Sequence, residues 1–186
     1  FIFMVLGFAA SQFVIGGFAF WAAQYLQHDL GLTKNAAVIA LGLMTVATGV
    51  FGCACGGALL DTLTKSAKAR WNCDDGVRGV VGCGLCALLS VFVVPAACLS
   101  SMLTNAGAFL LCLGGTQVFS FLGAAPFIMA TMDSVPSNFR GTAMALSSFG
   151  GHLLGDLISP SLVGKVSDMM GSLRHGIFCL SIWSIW

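Results

Sequence analysis

Residues 36–60 read AAVIALGLMTVATGVFGCACGGALL, a stretch without a single charged side chain. A helix needs roughly 20 mainly apolar residues to cross the hydrocarbon core of a bilayer. Comparable stretches lie near residues 1–26, 78–101, 106–131 and 141–164, and another apolar segment runs from about 174 to 186. The sequence therefore predicts an all-α fold, a polytopic transmembrane bundle of about six helices with the last one truncated.

The composition supports a bilayer environment. Hydrophobic residues make up 58% of the chain and charged residues 8%, and the mean hydropathy is +0.95. Soluble globular chains carry about 25% charged residues, so we expect membrane lipids to cover much of this surface. The net charge of +1 provides no field that would attract nucleic acid, and we expect no nucleic-acid partner.

The ends of the chain suggest a fragment of a longer protein. Phe1 is not an initiator methionine, and no basic region precedes the first apolar run. The chain stops at Trp186 inside an apolar segment. We therefore expect a continuous domain over residues 1–186 that is missing other parts of the same protein.

The basic residues suggest an orientation in the membrane. The hydrophilic stretch 61–77 is predicted to be a loop, and it contains or adjoins Lys65, Lys68, Arg70 and Arg78, while Arg140 lies in the next connection on the same side. The opposite side has Lys34 and a predicted turn from Lys165 to Arg174. Because basic residues concentrate in cytoplasmic loops, we predict that residues 61–77 face the cytoplasm.

Small residues and one proline predict how the helices pack. Gly42, Thr45, Gly49, Gly52 and Gly56 recur at near-helical spacing. Small residues let the backbones of membrane helices approach each other, so this face should meet another helix. Pro126 should bend the fourth helix, since proline has no N–H and clashes with the preceding turn.

The eight cysteines do not indicate a metal or redox site. Seven lie in apolar stretches, where a thiol packs as a small hydrophobic group, and only Cys73 lies in a polar segment. Cys83 and Cys86 have the spacing of a metal-binding pair but no second pair accompanies them. We expect core packing for these residues and no cofactor.

The fifth predicted helix contains the most informative polar residues. Steps of four, four and three place four of them on one face: Ser148, His152, Asp156 and Ser159. An ionisable residue at the centre of a membrane costs about 2.5–3.5 kcal/mol on insertion scales, so such residues usually face a cavity or a partner. We therefore predict that this face binds substrate or takes part in proton coupling.

His152 and Asp156 are four residues apart, which allows them to form a hydrogen-bonded pair. Imidazole groups in general change charge between about pH 5 and 8, so the pair could take up and release a proton during transport. The alternative is that His152 only satisfies Asp156 and fixes the position of the helix.

Other polar groups in the apolar segments are candidates for lining a cavity: Gln12, Gln24, Gln117 and Ser120. The alternative role for each is an interhelical hydrogen bond, worth about 0.6 kcal/mol on average. Two residues at the predicted cytoplasmic side, Asp61 and Arg140, suggest a conformational latch, meaning a contact made in one state and broken in another. Their alternative role is to lie at solvated helix ends.

Motifs of enzyme active sites are missing. The sequence has no GxSxG, no HExxH and no Walker loop. Ser148, His152 and Asp156 are the residue types of a hydrolytic triad, but on one continuous helix they cannot surround a single substrate atom. We expect a protein that is not an enzyme.

Several motifs resemble the C-terminal half of the major facilitator superfamily. They are Gly57 to Asp61 before the basic stretch, Pro136 with Arg140 and Gly141, and the run Trp21–Leu26 followed by Leu30–Leu32. The resemblance covers essentially the whole chain and implies helices seven to twelve of a twelve-helix transporter, whose N-terminal half would be the missing partner. Thr62 and Thr64 depart from the usual pattern after Asp61.

Residues 152–168, HLLGDLISPSLVGKVSD, resemble the eleventh helix of spinster-type lipid transporters. This resemblance implies a lysolipid or a sphingoid-like amphiphile as substrate, moved by alternating access and in some members coupled to protons. A carrier of a sugar or an organic anion is the alternative, and a membrane scaffold is another. The chain has 15 phenylalanines and one tyrosine, which suits an acyl chain better than a sugar.

Overall fold

The computed structural model describes residues 1–72 and 76–183, and over these ranges the chain is helical without strands. The helices are α1 (Ile2–His28), α2 (Lys34–Trp71), α3 (Val77–Met102), α4 (Ala106–Leu122), α5 (Ala124–Asp133), α6 (Arg140–Gly151), α7 (Ser159–Met170) and α8 (Leu173–Trp183). A short π-helical segment, His152–Asp156, joins α6 to α7. The predicted all-α bundle is confirmed.

Within the described residues, four helical segments are long and apolar enough to span a membrane: Ile2–His28, Lys34–Trp71, Val77–Met102 and Ala106–Asp133. The surface of α2 is largely apolar and exposed, with Ile39, Leu43 and Val50 each more than half accessible. Such a surface is stable when it faces lipid or other apolar helices. The chain is therefore an integral, multi-pass membrane protein.

The prediction of a loop over 61–77 is wrong for most of that stretch. Helix α2 continues to Trp71, and Asn72 ends it in the left-handed conformation with φ of 48°. Alanine, lysine and arginine are strong helix formers, so a helix can continue beyond the apolar core into a polar environment. Cys73 lies outside the described residues.

The predicted turn from Lys165 to Arg174 is also shorter than expected. Helix α7 continues to Met170, and Gly171 ends it with φ of 65°. Glycine adopts this left-handed conformation without steric cost. The basic residue Lys165 is therefore part of a helix rather than of a turn.

The bend predicted in the fourth helix is confirmed. Helices α4 and α5 are separated at Gly123, whose N–H donates to the carbonyl oxygen of Ser120 at 3.2 Å. Pro126 has no N–H and its ring crowds the carbonyl four residues earlier, that of Leu122. The helix therefore breaks about one turn before the proline.

The glycine face of α2 packs against α4, as predicted. A Cβ atom at Gly52 would lie 2.6 Å from the Cβ of Phe121, and one at Gly56 would clash with the backbone of Leu122. Gln117 of α4 adds polar contacts, because its Nε2 donates to Thr45 Oγ1 at 3.1 Å and its Oε1 accepts from Thr48 Oγ1 at 3.0 Å. The small residues thus allow close approach, and the amide fixes the register.

Helix α1 packs against the segment that contains the π helix. Its Trp21 donates from Nε1 to the carbonyl oxygen of Pro160 at 3.0 Å, and Gly17 lies against Leu180 of α8. Tyr25, which is buried against Phe109, donates to the carbonyl oxygen of Leu103 at 3.2 Å. These contacts hold α1 at the centre of the bundle, beside His152 and Asp156.

Candidate functional site

The π-helical segment His152–Asp156 corrects the prediction of one regular helix over 141–164. Gly155 lies directly against α1, where a Cβ atom would be 2.7 Å from the carbonyl oxygen of Ala9. This close approach requires glycine. A π turn contains an extra residue, which rotates everything after it relative to α6, and such turns are frequent at functional sites.

His152 and Asp156 form the expected contact. Nδ1 of His152 lies 2.6 Å from Oδ2 of Asp156, and the side chains are 57% and 34% exposed. The contact is short enough for a charge-assisted hydrogen bond. The structure thus places the two ionisable groups together, with the imidazole more accessible than the carboxylate.

The second carboxylate oxygen of Asp156 lies in a different environment. Oδ1 is buried and accepts no hydrogen bond from the residues that the structure describes. It faces α1, where a Cβ atom at Gly16 would lie 2.8 Å from it. A buried polar atom without a partner is costly, so this oxygen is the unusual feature of the pair.

Gln12 connects this pair to α1. Its Nε2 lies 3.4 Å from Nδ1 of His152, the same nitrogen that contacts Asp156. Phe8, one turn earlier on α1, directs its ring towards the imidazole in an edge contact with centroids 6.5 Å apart. Two consecutive turns of α1 therefore touch His152, one with a polar group and one with an aromatic ring.

A cavity of about 430 Å³ lies between α1, α3 and the α4–α5 segment. Its wall is mostly apolar and contains five phenylalanines, namely Phe3, Phe8, Phe119, Phe121 and Phe127. Its volume lies in the range of ligand pockets, about 300–1,000 Å³. Gln12 and Ser120 are part of the wall, and His152 adjoins it through its contacts with Gln12 and Phe8.

The other predicted site residues lie elsewhere. Gln24 is exposed outside this cavity, and Gln117 bonds to Thr45 and Thr48 of α2. Ser148 is exposed, whereas Ser159 is fully buried with an Oγ that has no partner within the described ranges.

The two predicted latch residues are each paired with a neighbour. Asp61 Oδ1 accepts from Arg78 at 2.7 Å, which ties the last third of α2 to the start of α3. Arg140 lies 3.4 Å from Asp133 and donates from Nε to the carbonyl oxygen of Met132 at 3.2 Å. Asp133 also packs against Gly79 of α3. The two pairs thus connect α2, α3, α5 and α6 at one end of the bundle.

Sequence reasoning did not single out Gly16, Phe8 or Asp133. A signal existed for Gly16, since it follows Gln12 by four residues and so lies on the same face of α1. Phe8 precedes Gln12 by the same spacing. No comparable signal existed for Asp133, because its contact with α3 joins segments far apart in the sequence.

Residues 1–160 match the protein family described as the Major Facilitator Superfamily. The chain is 29% identical over 181 residues to the probable sphingolipid transporter spinster homolog 3 of Arabidopsis thaliana, an alignment that covers 97% of this chain and 33% of the relative. No solved structure matches the chain.

Two animal proteins are similar to the same extent. The chain is 29% identical over 194 residues to the sphingosine-1-phosphate transporter SPNS2 of Danio rerio, covering 98% of this chain and 36% of that protein. It is 28% identical over 194 residues to protein spinster homolog 3 of Homo sapiens, covering 94% and 34%. The chain thus spans about a third of the length of these relatives.

Proposed function

The chain belongs to the major facilitator superfamily, a family of membrane transporters, and from this membership we propose that it is the C-terminal half of a spinster-like carrier. The proposed substrate is a lysolipid or a sphingoid-like amphiphile, moved by alternating access between two halves that rock about a central site. The similarity to sphingolipid and sphingosine-1-phosphate transporters supports this substrate class.

The cavity beside α1 carries the proposal. Its phenylalanine-rich wall would accept a hydrocarbon chain, since burial of apolar surface contributes about 25 cal/mol per Å². Its polar members are few: Ser11, Gln12, Ser90 and Ser120. A sugar would leave most of its hydroxyl groups without partners against such a wall, which is costly. An amphiphile would instead place its chain in the cavity and its polar end towards Gln12.

The pair of His152 and Asp156 would serve the polar part of the cycle. The carboxylate has one oxygen bonded to the imidazole and one buried oxygen without a partner in the described ranges. Protonation of Asp156 would remove the cost of that buried charge. The pair is therefore proposed as the proton or head-group site of this half of the carrier.

The first test is uptake by the full-length carrier in proteoliposomes. A lysophospholipid and sphingosine-1-phosphate are compared with glucose and an organic anion such as lactate. We expect saturable uptake of one or both amphiphiles and none of the two small solutes. Replacing Ser120 by Phe should reduce amphiphile uptake, because the larger side chain fills part of the cavity.

A matched control is Phe51→Leu, a change on the exposed surface of α2 that should leave uptake unchanged. Uptake of glucose or lactate without uptake of either amphiphile would contradict the proposed substrate class. Equal uptake by the Ser120→Phe and wild-type proteins would show that the chain does not use this cavity.

The second prediction concerns the latch. Asp61→Asn and Arg140→Gln should each shift the balance between inward-facing and outward-facing states, because each removes an ion pair between two helices. Exposed ion pairs contribute about 0.2–1 kcal/mol, which corresponds to a shift of about 1.4- to 5-fold. Substrate affinity measured in a single locked state should not change.

The state balance can be followed by spin-label distances between the two ends of the full-length carrier. Arg70→Gln is the control, since Arg70 is an exposed cation near the same end of α2. If both latch variants have the distance distribution and the transport kinetics of the wild type, Asp61 and Arg140 are ordinary solvated residues.

A further inference from the structure

We infer that Gln12 is a positioning residue that controls which hydrogen bond His152 makes, and that it thereby links occupancy of the cavity to the His152–Asp156 pair. The inference rests on the proposed function and concerns the regulation of the same site. Its basis is the position of one side chain: Gln12 lies in the cavity wall and also contacts Nδ1 of His152 at 3.4 Å.

The chemistry of the imidazole makes the two contacts at Nδ1 alternatives. Nδ1 must carry its proton to donate to Asp156, whereas it must be unprotonated to accept from the amide N–H of Gln12. In the neutral ring only one nitrogen is protonated, so the two bonds select opposite tautomers. Here the contact with Asp156 is the shorter one, 2.6 Å against 3.4 Å.

When His152 exchanges one bond for the other, it gains one proton at Nε2 and loses one proton from Nδ1. A proton enters the accessible ring at Nε2, which gives the imidazolium with Nδ1 still bonded to Asp156. The Nδ1 proton then leaves, either to the carboxylate or to water, and the bare Nδ1 accepts from Gln12. A hydrocarbon chain that packs against Gln12 in the cavity changes the position of the amide and so favours one of the two bonds.

Among the described residues, His152 has two polar partners, Asp156 and Gln12. The titratable side chains of α1, Tyr25 and His28, lie at its far end, and Asp29 follows directly after it. The π segment is also flanked by α6 and α7. Arg140 lies at the start of α6, and Lys165 of α7 lies more than two turns beyond Asp156. Phe8 contacts the ring but has no hydrogen-bonding group.

The test compares Gln12→Leu with Gln24→Leu in the full-length carrier. Gln24 is a matched control because it is an exposed glutamine of the same helix, outside the cavity wall. In protein labelled with ¹⁵N-histidine, the spectrum of His152, assigned with a His152→Gln variant, distinguishes the two tautomers. Because the shorter contact already has Nδ1 donating to Asp156, we expect Gln12→Leu to remove the remaining signal of the tautomer with an unprotonated Nδ1, and Gln24→Leu to leave the tautomer populations unchanged.

Transport provides the second measurement, with a fluorescent lysophospholipid in proteoliposomes from pH 5 to pH 8. Gln12→Leu removes a donor that stabilises neutral His152, so the midpoint of the pH profile should rise by about 0.4 to 1 pH unit. Gln12→Glu, an acceptor that favours the protonated ring, should raise it further. The Gln24→Leu profile should match the wild type.

The two proposals can fail separately. If the wild-type carrier does not move the lysophospholipid, the proposed substrate class is wrong, and the ¹⁵N spectrum still tests Gln12. If the lysophospholipid is moved but Gln12→Leu leaves both the His152 spectrum and the pH profile unchanged, the inference about Gln12 is overturned.

Discussion

Replacing Asp156 by Asn should abolish proton-linked transport or reduce it at least about tenfold, since a hydrogen bond to a charged group is worth roughly 1.5–3 kcal/mol. Asparagine keeps the size of the side chain and can still accept from Nδ1 of His152, so the π segment should remain packed against α1. It cannot ionise, and so it cannot take up a proton at the buried Oδ1. The measurement is lysolipid uptake by purified full-length protein across a range of pH.

The same measurement on His152→Gln should show a changed pH dependence of uptake and a smaller loss of rate than Asp156→Asn, because the carboxylate remains. Asp168→Asn is the control, as this exposed aspartate lies on α7 at a distance from the pair. An Asp156→Asn protein with the rate and pH profile of the wild type would show that His152 and Asp156 are only a structural pair.

The largest effect on folding is expected at Gly56. Alanine there would place a Cβ atom against the carbonyl group of Leu122, and backbone cannot move aside as a flexible side chain can. Overpacking of this kind costs typically about 1–3 kcal/mol. We expect a clearly lower melting temperature and less folded protein, measured by thermal unfolding of the full-length carrier in detergent.

The neighbouring residue provides a control within the same helix. A Cβ atom at Gly57 would meet nothing within 4 Å, so Gly57→Ala should be neutral or slightly stabilising through its higher helix propensity. Equal melting temperatures for the Gly56→Ala and Gly57→Ala proteins would mean that α2 and α4 do not pack closely at this glycine.

Several features of the fold could be predicted because they depend on local sequence. Apolar segments of sufficient length predicted the helices and the bilayer environment. The predicted bounds of α1 and α3 agree with the observed helices within a few residues. The break near Pro126 and the close packing of Gly52 and Gly56 followed from the steric properties of those residue types. The polar ends of α2 and α7 were misjudged, because hydropathy does not distinguish a polar helix from a loop.

The candidate site could be predicted only in part. The contact between His152 and Asp156 follows from a four-residue spacing, and it is present although the helix there is a π helix. The burial of Ser159 did not follow from the sequence, since it depends on how the helices pack. Of the four residues proposed to line a cavity, two lie in the wall of one cavity and two do not.

By itself, the sequence of this protein determined what each residue does relative to its neighbours within one helix: which segments are apolar enough to span a bilayer, which small residues permit close approach, and which ionisable side chains share a turn. Tertiary structure alone decided which helix each of these groups meets. Gln12 and His152 lie far apart in the chain, and so do Arg140 and the α3 residues beside Asp133. Their proximity depends on the packing of whole helices, which is the sum of many weak contacts and has no counterpart in the local spacing of residues.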